Sequence, residues 1–312
     1  MMKYIERENT LEIRAGQAAR IKRKRNRRRR RRKCVLSLAL TAAVIFGAWH
    51  AVSSMTGWAD NLKDNFQHIG DSNAAGGGNN VADESDTLSQ LKALAGENSE
   101  IKAIVKNADA YPESLLKLLA GNQETLSFVQ NYPNRNNVAK SSGLTKDDLT
   151  GEILLFLQWD KRWGYNKYGN DMLAITGCGP TALSMVIVGL TGDLSADPGA
   201  VAAFSQSHGY CVDGDGTDWE LMTSGAESYG LTATELPLWE NSIIQQLQAG
   251  HPVICIMGPG AFTTTGHFIV IYGYENGEFL INDPNSIVHS EQRWTYASFE
   301  SQVRNLWAYS TK

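Results

Sequence analysis

Cysteine is scarce in this 312-residue chain, which has four, Cys34, Cys178, Cys211 and Cys255, and no Cys-x-x-Cys. The six histidines fall at no metal-ligand spacing, so a zinc site is excluded, and no cofactor is called for. Positive charge is scarce past Lys33. Residues 1–33 hold fifteen of the 29 Lys and Arg against three Glu, about +12, and the remaining fourteen face thirty Asp and Glu, about −16. One long apolar run stands against these shortages: "CVLSLALTAAVIFGAWHAV", Cys34 to Val52, nineteen residues without formal charge.

As a helix that run rises about 28 Å, close to a hydrocarbon core of about 30 Å. The flank "RIKRKRNRRRRRRK", Arg20 to Lys33, belongs on the cytoplasmic side. We therefore expect a basic cytoplasmic tail at 1–33 and a single transmembrane anchor at 34–55, with everything beyond it outside the cytoplasm. The rival is a cleaved secretory signal, but its apolar region usually runs about 7–15 residues, and Ala51-Val52-Ser53 is a weak cleavage site. The tail sets topology and grips anionic lipid, so membrane lipid is an expected partner and nucleic acid is not. Export permits disulfides, yet three external thiols cannot all pair with one another, so at least one is free.

"DSNAAGGGNNVADESD", Asp71 to Asp86, has the composition of a spacer and marks 56–86 as a flexible linker. Residues 87–150 then turn helical, with Leu88, Leu91 and Leu94, Ile101 and Ile104, Leu115 and Leu119, and Leu126 and Val129 in helical spacing. Ser99 and Asn122 suit N-caps and Pro112 a first turn. "LKALAGENSEIKAIVKN" and "LKLLAGNQETLSFVQNYP" resemble degenerate copies, which points to two helical hairpins forming a stalk or docking module without chemistry of its own.

Residues 151–312 read as one domain: a strand at 153–157, a helix from Cys178, another near Val201 and a turn at "VDGDGTDW". Helices at 219–229 and 242–249 follow, then strands at 252–257, 267–274 and 278–282. Helices first and an antiparallel sheet later is an α+β arrangement. "DGDGTD" mimics part of a calcium loop but lacks the downstream acid, and reads as a turn. Cys211 and Cys255 read as packing residues, and His208 and His289 as surface or turn residues. Of the tryptophans past residue 150, most belong to the core and one or two to a substrate cleft.

"TGCGPTALSMVIVGL", Thr176 to Leu190, places Cys178 at the start of a helix, with Pro180 in its first turn and apolar residues around most of its circumference. Aligned peptide dipoles and free N–H groups favour the thiolate there, and the same groups can hold an oxyanion. His267 opens an apolar strand and can take or give the proton; Asp283 ends the next strand and can orient the imidazole. The connection "YENGEF" tests this. A two-residue Asn276-Gly277 turn alone pairs Val270 with Asp283 and puts His267 and Asp283 on opposite faces, so a triad requires an odd-length loop or a bulge.

Together with "LQWDKRWGYNKYG", "GCGPTALSMV", "GDGTDWELM", "GPGAFTTTGHFIVIYGY" and "NDPNS", these residues resemble the C-thirty-nine-like cysteine peptidases, relatives of the double-glycine peptidases that process bacteriocin leaders. The resemblance covers roughly 151–312 and implies a papain-like fold with Cys178 as nucleophile, His267 as base and acid, Asp283 as orienter and Gln158 in the oxyanion hole. It also implies a peptide or protein substrate. The leading expectation is thus a membrane-anchored, extracytoplasmic cysteine peptidase. A cell-wall peptide amidase or transpeptidase with the same triad, and a catalytically silent peptide-binding module, are the alternatives.

Overall fold

The computed structural model describes residues 80–96, 98–137, 143–149, 154–212 and 216–312. The expected tail, the anchor at 34–55 and most of the linker lie outside the described residues. No helix among the described residues is long and apolar enough to cross a membrane. The described residues belong to one compact unit, Asn79–Lys312.

Six strands form an antiparallel sheet in the order β5 (Leu231–Glu235), β10 (Val303–Thr311), β6 (Val253–Met257), β7 (His267–Glu275), β8 (Glu278–Asn282) and β9 (Arg293–Trp294). Two short hairpins lie outside it, β1 (Lys167–Tyr168) with β2 (Asp171–Met172) and β3 (Cys211–Val212) with β4 (Gly216–Thr217). All five residues of β6 are buried because the sheet is covered on both faces. Ile254, Ile256, Phe268 and Val270 face one core with Trp307 and Tyr309. Val253, Cys255, Ile269 and Ile271 face the other, closed by Ile243 and Phe299.

The first core is filled by the long helix of the domain. In chain order the helices are α1 (Asn80–Ala95), α2 (Ser99–Lys106), α3 (Glu113–Gly121), α4 (Leu126–Asn131), α5 (Leu173–Thr176), α6 (Cys178–Thr191) and α7 (Pro198–Ser207). They continue with α8 (Ser224–Glu227), α9 (Glu240–Gln248), α10 (Ile287–Glu291) and α11 (Tyr296–Phe299). Every residue of α6 from Gly179 to Val188 is buried, and Gly192 ends the helix in the left-handed conformation at φ 71°.

Mixed helix and antiparallel sheet agrees with the α+β expectation. Several elements differ. Residues 154–157 form no strand, and their Leu154 and Phe156 are buried in the first core. The helix expected over 219–229 splits at Thr223 into a 3-10 turn, Trp219–Met222, and α8. β5 and β10 were not anticipated. Asn98, rather than Ser99, caps α2, accepting from the N–H groups of Glu100 and Ile101 at 2.9 and 3.0 Å.

The helices expected as a stalk share a core with the domain. Leu91, Ile101, Ile104, Leu115 and Phe128 are buried together with Ala174 of α5, and Trp159, Tyr165 and Ile175 pack against them. Phe128 stacks on Tyr165 with ring centroids 4.2 Å apart, and Gly164 lies so close that a Cβ there would sit 2.7 Å from Phe128.

Candidate active site

Gly177 and Gly179 explain the setting of Cys178. A Cβ on Gly177 would run into the Leu173 carbonyl, and one on Gly179 would sit 2.6 Å from Thr217 Oγ1. Lacking them, the chain turns sharply out of α5, and the β3–β4 hairpin closes on the first turn of α6. Cys178 is thereby held half-buried at a helix N-terminus, on a cleft of about 620 Å³. Trp219 and Thr217 line the cleft on the hairpin side, Gly258, Gly266 and Arg304 on the sheet side. Trp219 is the tryptophan of the cleft, 45% exposed and edge-on to Trp307.

His267 opens β7 and is buried. Its Nε2 and Asp283 Oδ1 are 2.6 Å apart. The imidazole also bonds the Cys178 thiol, and since Nε2 is taken, Nδ1 is the nitrogen left for it. Burial pushes the Cys178 thiol up. The imidazole's hydrogen bond and charge, with the backbone N–H groups of Phe268 and Gly179, outweigh it and bring the thiol below its ordinary value. Burial likewise opposes charge on His267, and the Asp283 carboxylate overrides it, raising the imidazole well above the ordinary histidine range. Burial opposes charge on Asp283 too, but His267, His289 and the Asn285 N–H hold it well below the usual carboxylate range. The three groups together favour a thiolate–imidazolium pair backed by a carboxylate.

The turn between β7 and β8 is the two-residue one, Glu275 opposite Glu278, with Asn276 at φ 56° and Gly277 at φ 86°. A bulge at Tyr272 restores the face. Ile271 pairs with Ile281 and Gly273 with Leu280, so Val270 meets Asn282 and Asp283 falls level with Ile269, on the face of His267. Gly273 was the sign of it, because a glycine inside a strand marks such irregularities; a Cβ there would lie 2.6 Å from Leu280 Cδ1.

Gln158 is buried and does not line the cleft. Its Nε2 donates to the Ala174 carbonyl at 2.7 Å, one turn before Cys178, and its backbone N–H donates to the Pro284 carbonyl at 2.8 Å. Its Oε1 has no partner among the described residues. The structure thus brings Cys178, His267 and Asp283 into one network and sets Gln158 behind it, bridging α5 to the loop after Asp283.

His289 is not the surface or turn residue expected from the sequence. It sits on α10 with Nδ1 2.7 Å from Asp283 Oδ2, its ring edge-on to Phe262 and Trp294. Cys255 is fully buried in β6, and none of Cys178, Cys211 and Cys255 is joined in a disulfide. The described residues contain no cluster of His, Cys, Asp and Glu able to hold a metal ion.

Among solved structures, the chain is similar to the peptidase domain of Streptococcus ComA, a bi-functional ABC transporter of a quorum-sensing pathway. Identity is 18%, covering 47% of this chain and 99% of that one, with a TM-score of 0.34. A C39-like peptidase from Bacillus anthracis is 14% identical over 50% of this chain and 94% of its own, with a TM-score of 0.35. No curated protein matches the chain. Residues 151–312, just over half of the sequence, match the Peptidase_C39 like family, and the chain belongs to that family.

Proposed function

We propose that the chain is a cysteine peptidase that hydrolyses peptide bonds through Cys178, His267 and Asp283, held at the membrane with its catalytic domain outside the cytoplasm. One observation carries the chemistry: a thiol at the first residue of an apolar helix is bonded to an imidazole whose far nitrogen lies 2.6 Å from a buried carboxylate. The basic tail followed by nineteen uncharged residues supports the placement.

The Cys178 thiolate adds to the substrate carbonyl carbon, and the displaced electron pair moves to the oxygen. N–H groups of the first turn of α6 stabilise that oxyanion. The Gln158 amide donates to the Ala174 carbonyl behind the cleft and supports the turn of chain that leads into α6. His267 Nδ1–H passes its proton to the leaving amine as the C–N bond breaks, which leaves a thioester. Water then attacks the thioester, His267 takes the proton, and the C–S bond breaks to restore the thiolate. Asp283 fixes the tautomer throughout by holding Nε2–H.

The test measures iodoacetamide reaction rate against pH and hydrolysis of a peptide library in wild type, Cys178→Ser and His267→Ala. The reading expects one thiol that reacts fast below pH 7, lost in the first variant and slowed in the second, with hydrolysis lost in both. Uniform slow labelling at an ordinary thiol pKa of about 8.5 would overturn it.

A further inference from the structure

Asp283 owes its position to the eight residues that start with it. Its Oδ1 accepts from the Asn285 N–H at 2.8 Å as well as from His267, its Oδ2 meets His289 Nδ1, and its own N–H donates to Ser290 Oγ at 2.8 Å. His289 and Ser290 ride on α10, a helix of five residues that cannot hold itself in place. Ser286 caps it from within, its Oγ accepting from the His289 N–H at 3.1 Å, and Trp294 Nε1 donates to the His289 carbonyl at 3.0 Å; the rest of its support comes from the helical segment before residue 150.

Glu124 follows α3 in a 3-10 turn. Its Oε1 accepts from Ser286 Oγ at 2.6 Å and, at a long 3.5 Å, from the Val288 N–H, and its Oε2 accepts from the Ile287 N–H at 2.7 Å. One carboxylate therefore takes the free N–H groups that open α10, as a capping side chain would, but from 162 positions away. Beside it, Asn122 Nδ2 donates to the Asn285 carbonyl at 2.5 Å while its Oδ1 accepts from the Glu124 N–H at 3.0 Å. Trp159 Nε1 reaches the same Asn285 carbonyl at 2.9 Å. Neither Asn122 nor Glu124 lines the cleft.

We infer that Glu124, supported by Asn122, is a positioning residue for Asp283, and that the N-terminal helical module completes the peptidase site in cis. The inference rests on the triad reading above. The groups facing the reacting pair are Cys178 on α6, Asp283 past β8 and, through Asp283, His289 on α10; Glu124 acts on them only through backbone and Ser286. Removing it lets α10 shift and Asp283 lose its line on His267, and a misplacement near 1 Å costs about a hundred-fold in rate.

The experiment uses the full chain with Glu124→Ala and Glu124→Gln, and with Lys161→Ala as control. Lys161 Nζ joins the same two regions through Ser127 Oγ at 2.9 Å, away from Asp283. Three readouts are taken: iodoacetamide alkylation of Cys178 at pH 6, kcat and KM on a cleaved peptide, and melting temperature. Glu124→Ala is expected to slow alkylation and lower kcat by about ten- to a hundred-fold, with KM within about two-fold. Glu124→Gln, which keeps one acceptor oxygen and the side-chain shape, should fold normally and fall between it and wild type, with the control unchanged. Wild-type alkylation and kcat in both Glu124 variants would overturn the positioning role while leaving the triad reading intact. Absence of a fast thiol in wild type would overturn both.

Discussion

Cys178 and Cys255 are the same side chain in two settings about as different as one domain can offer. Cys178 stands at the first residue of α6, half-buried on a cleft, with an imidazole and two backbone N–H groups turned toward its sulfur. Cys255 lies mid-strand in β6, wholly buried, with Met257 Sδ at 3.1 Å and the Ile256 carbonyl at 3.8 Å as its polar surroundings. Burial pushes both thiols up. Only at Cys178 is there a cation to reverse it, so Cys178 falls below the ordinary value while Cys255 rises far above. Reactivity here is a property of the neighbours more than of the sulfur.

The largest effect that could break this contrast is on turnover. Cys178→Ser replaces the thiolate with a hydroxyl that His267 is not arranged to ionise, and hydrolysis should fall by at least about a thousand-fold. Cys255→Ala should leave kcat/KM within about two-fold. A Cys178→Ser protein that still cleaves peptides at a tenth of the wild-type rate would end the contrast.

How much of that contrast can be read in advance depends on how local the determinants are. Gly177, Gly179 and Pro180 mark a helix start within a few residues of Cys178, and so its setting is legible. His267 and Asp283 are legible as types at the ends of two strands, but the face they share is not. The turn alone puts them apart, and the Tyr272 bulge that brings them together shows itself only as Gly273. Asn122 is legible as the cap of the turn that follows it, but its reach to Asn285 is not, nor are the contacts of His289 and Glu124, because those partners belong to other elements; a surface acid in a helical segment looks alike whether it meets water or the N–H groups of α10. β10 was missed for the opposite reason: with neighbours on both edges and both faces covered, Leu306 to Tyr309 are all buried and the period of two is erased.

A second, smaller effect sharpens the comparison through pH. The Cys178 value is lowered and the His267 value raised, so the thiolate survives as pH falls below that of a free thiol, and the imidazolium survives as pH rises above that of a free histidine. Between those limits the alkylation rate of wild type should be nearly flat. His267→Ala leaves only the backbone donors, and its rate should drop with falling pH below about 8.5, to about a hundred-fold under wild type at pH 6. Cys255 should stay unlabelled in both until the protein unfolds. Equal slopes in the two proteins would mean that His267 does not set the state of Cys178.

The smallest effect separates packing from chemistry at Cys255. Exchanging its sulfur for a hydroxyl keeps the size of the group but adds a polarity that the second core does not solvate; Ile269, Ile271 and Ile243 share that core. Burying the hydroxyl should cost about 1–3 kcal/mol, so Cys255→Ser should melt several degrees below wild type. Cys255→Ala, which loses only the sulfur's contacts, should melt between the two. In all three proteins the Cys178 alkylation profile should be the same, because β6 reaches the site through its far end, where Met257 pairs with His267, and not through Cys255. An unchanged melting temperature with a shifted profile would assign Cys255 a part in the chemistry; the ordering wild type, Ala, Ser with one common profile assigns it to the core.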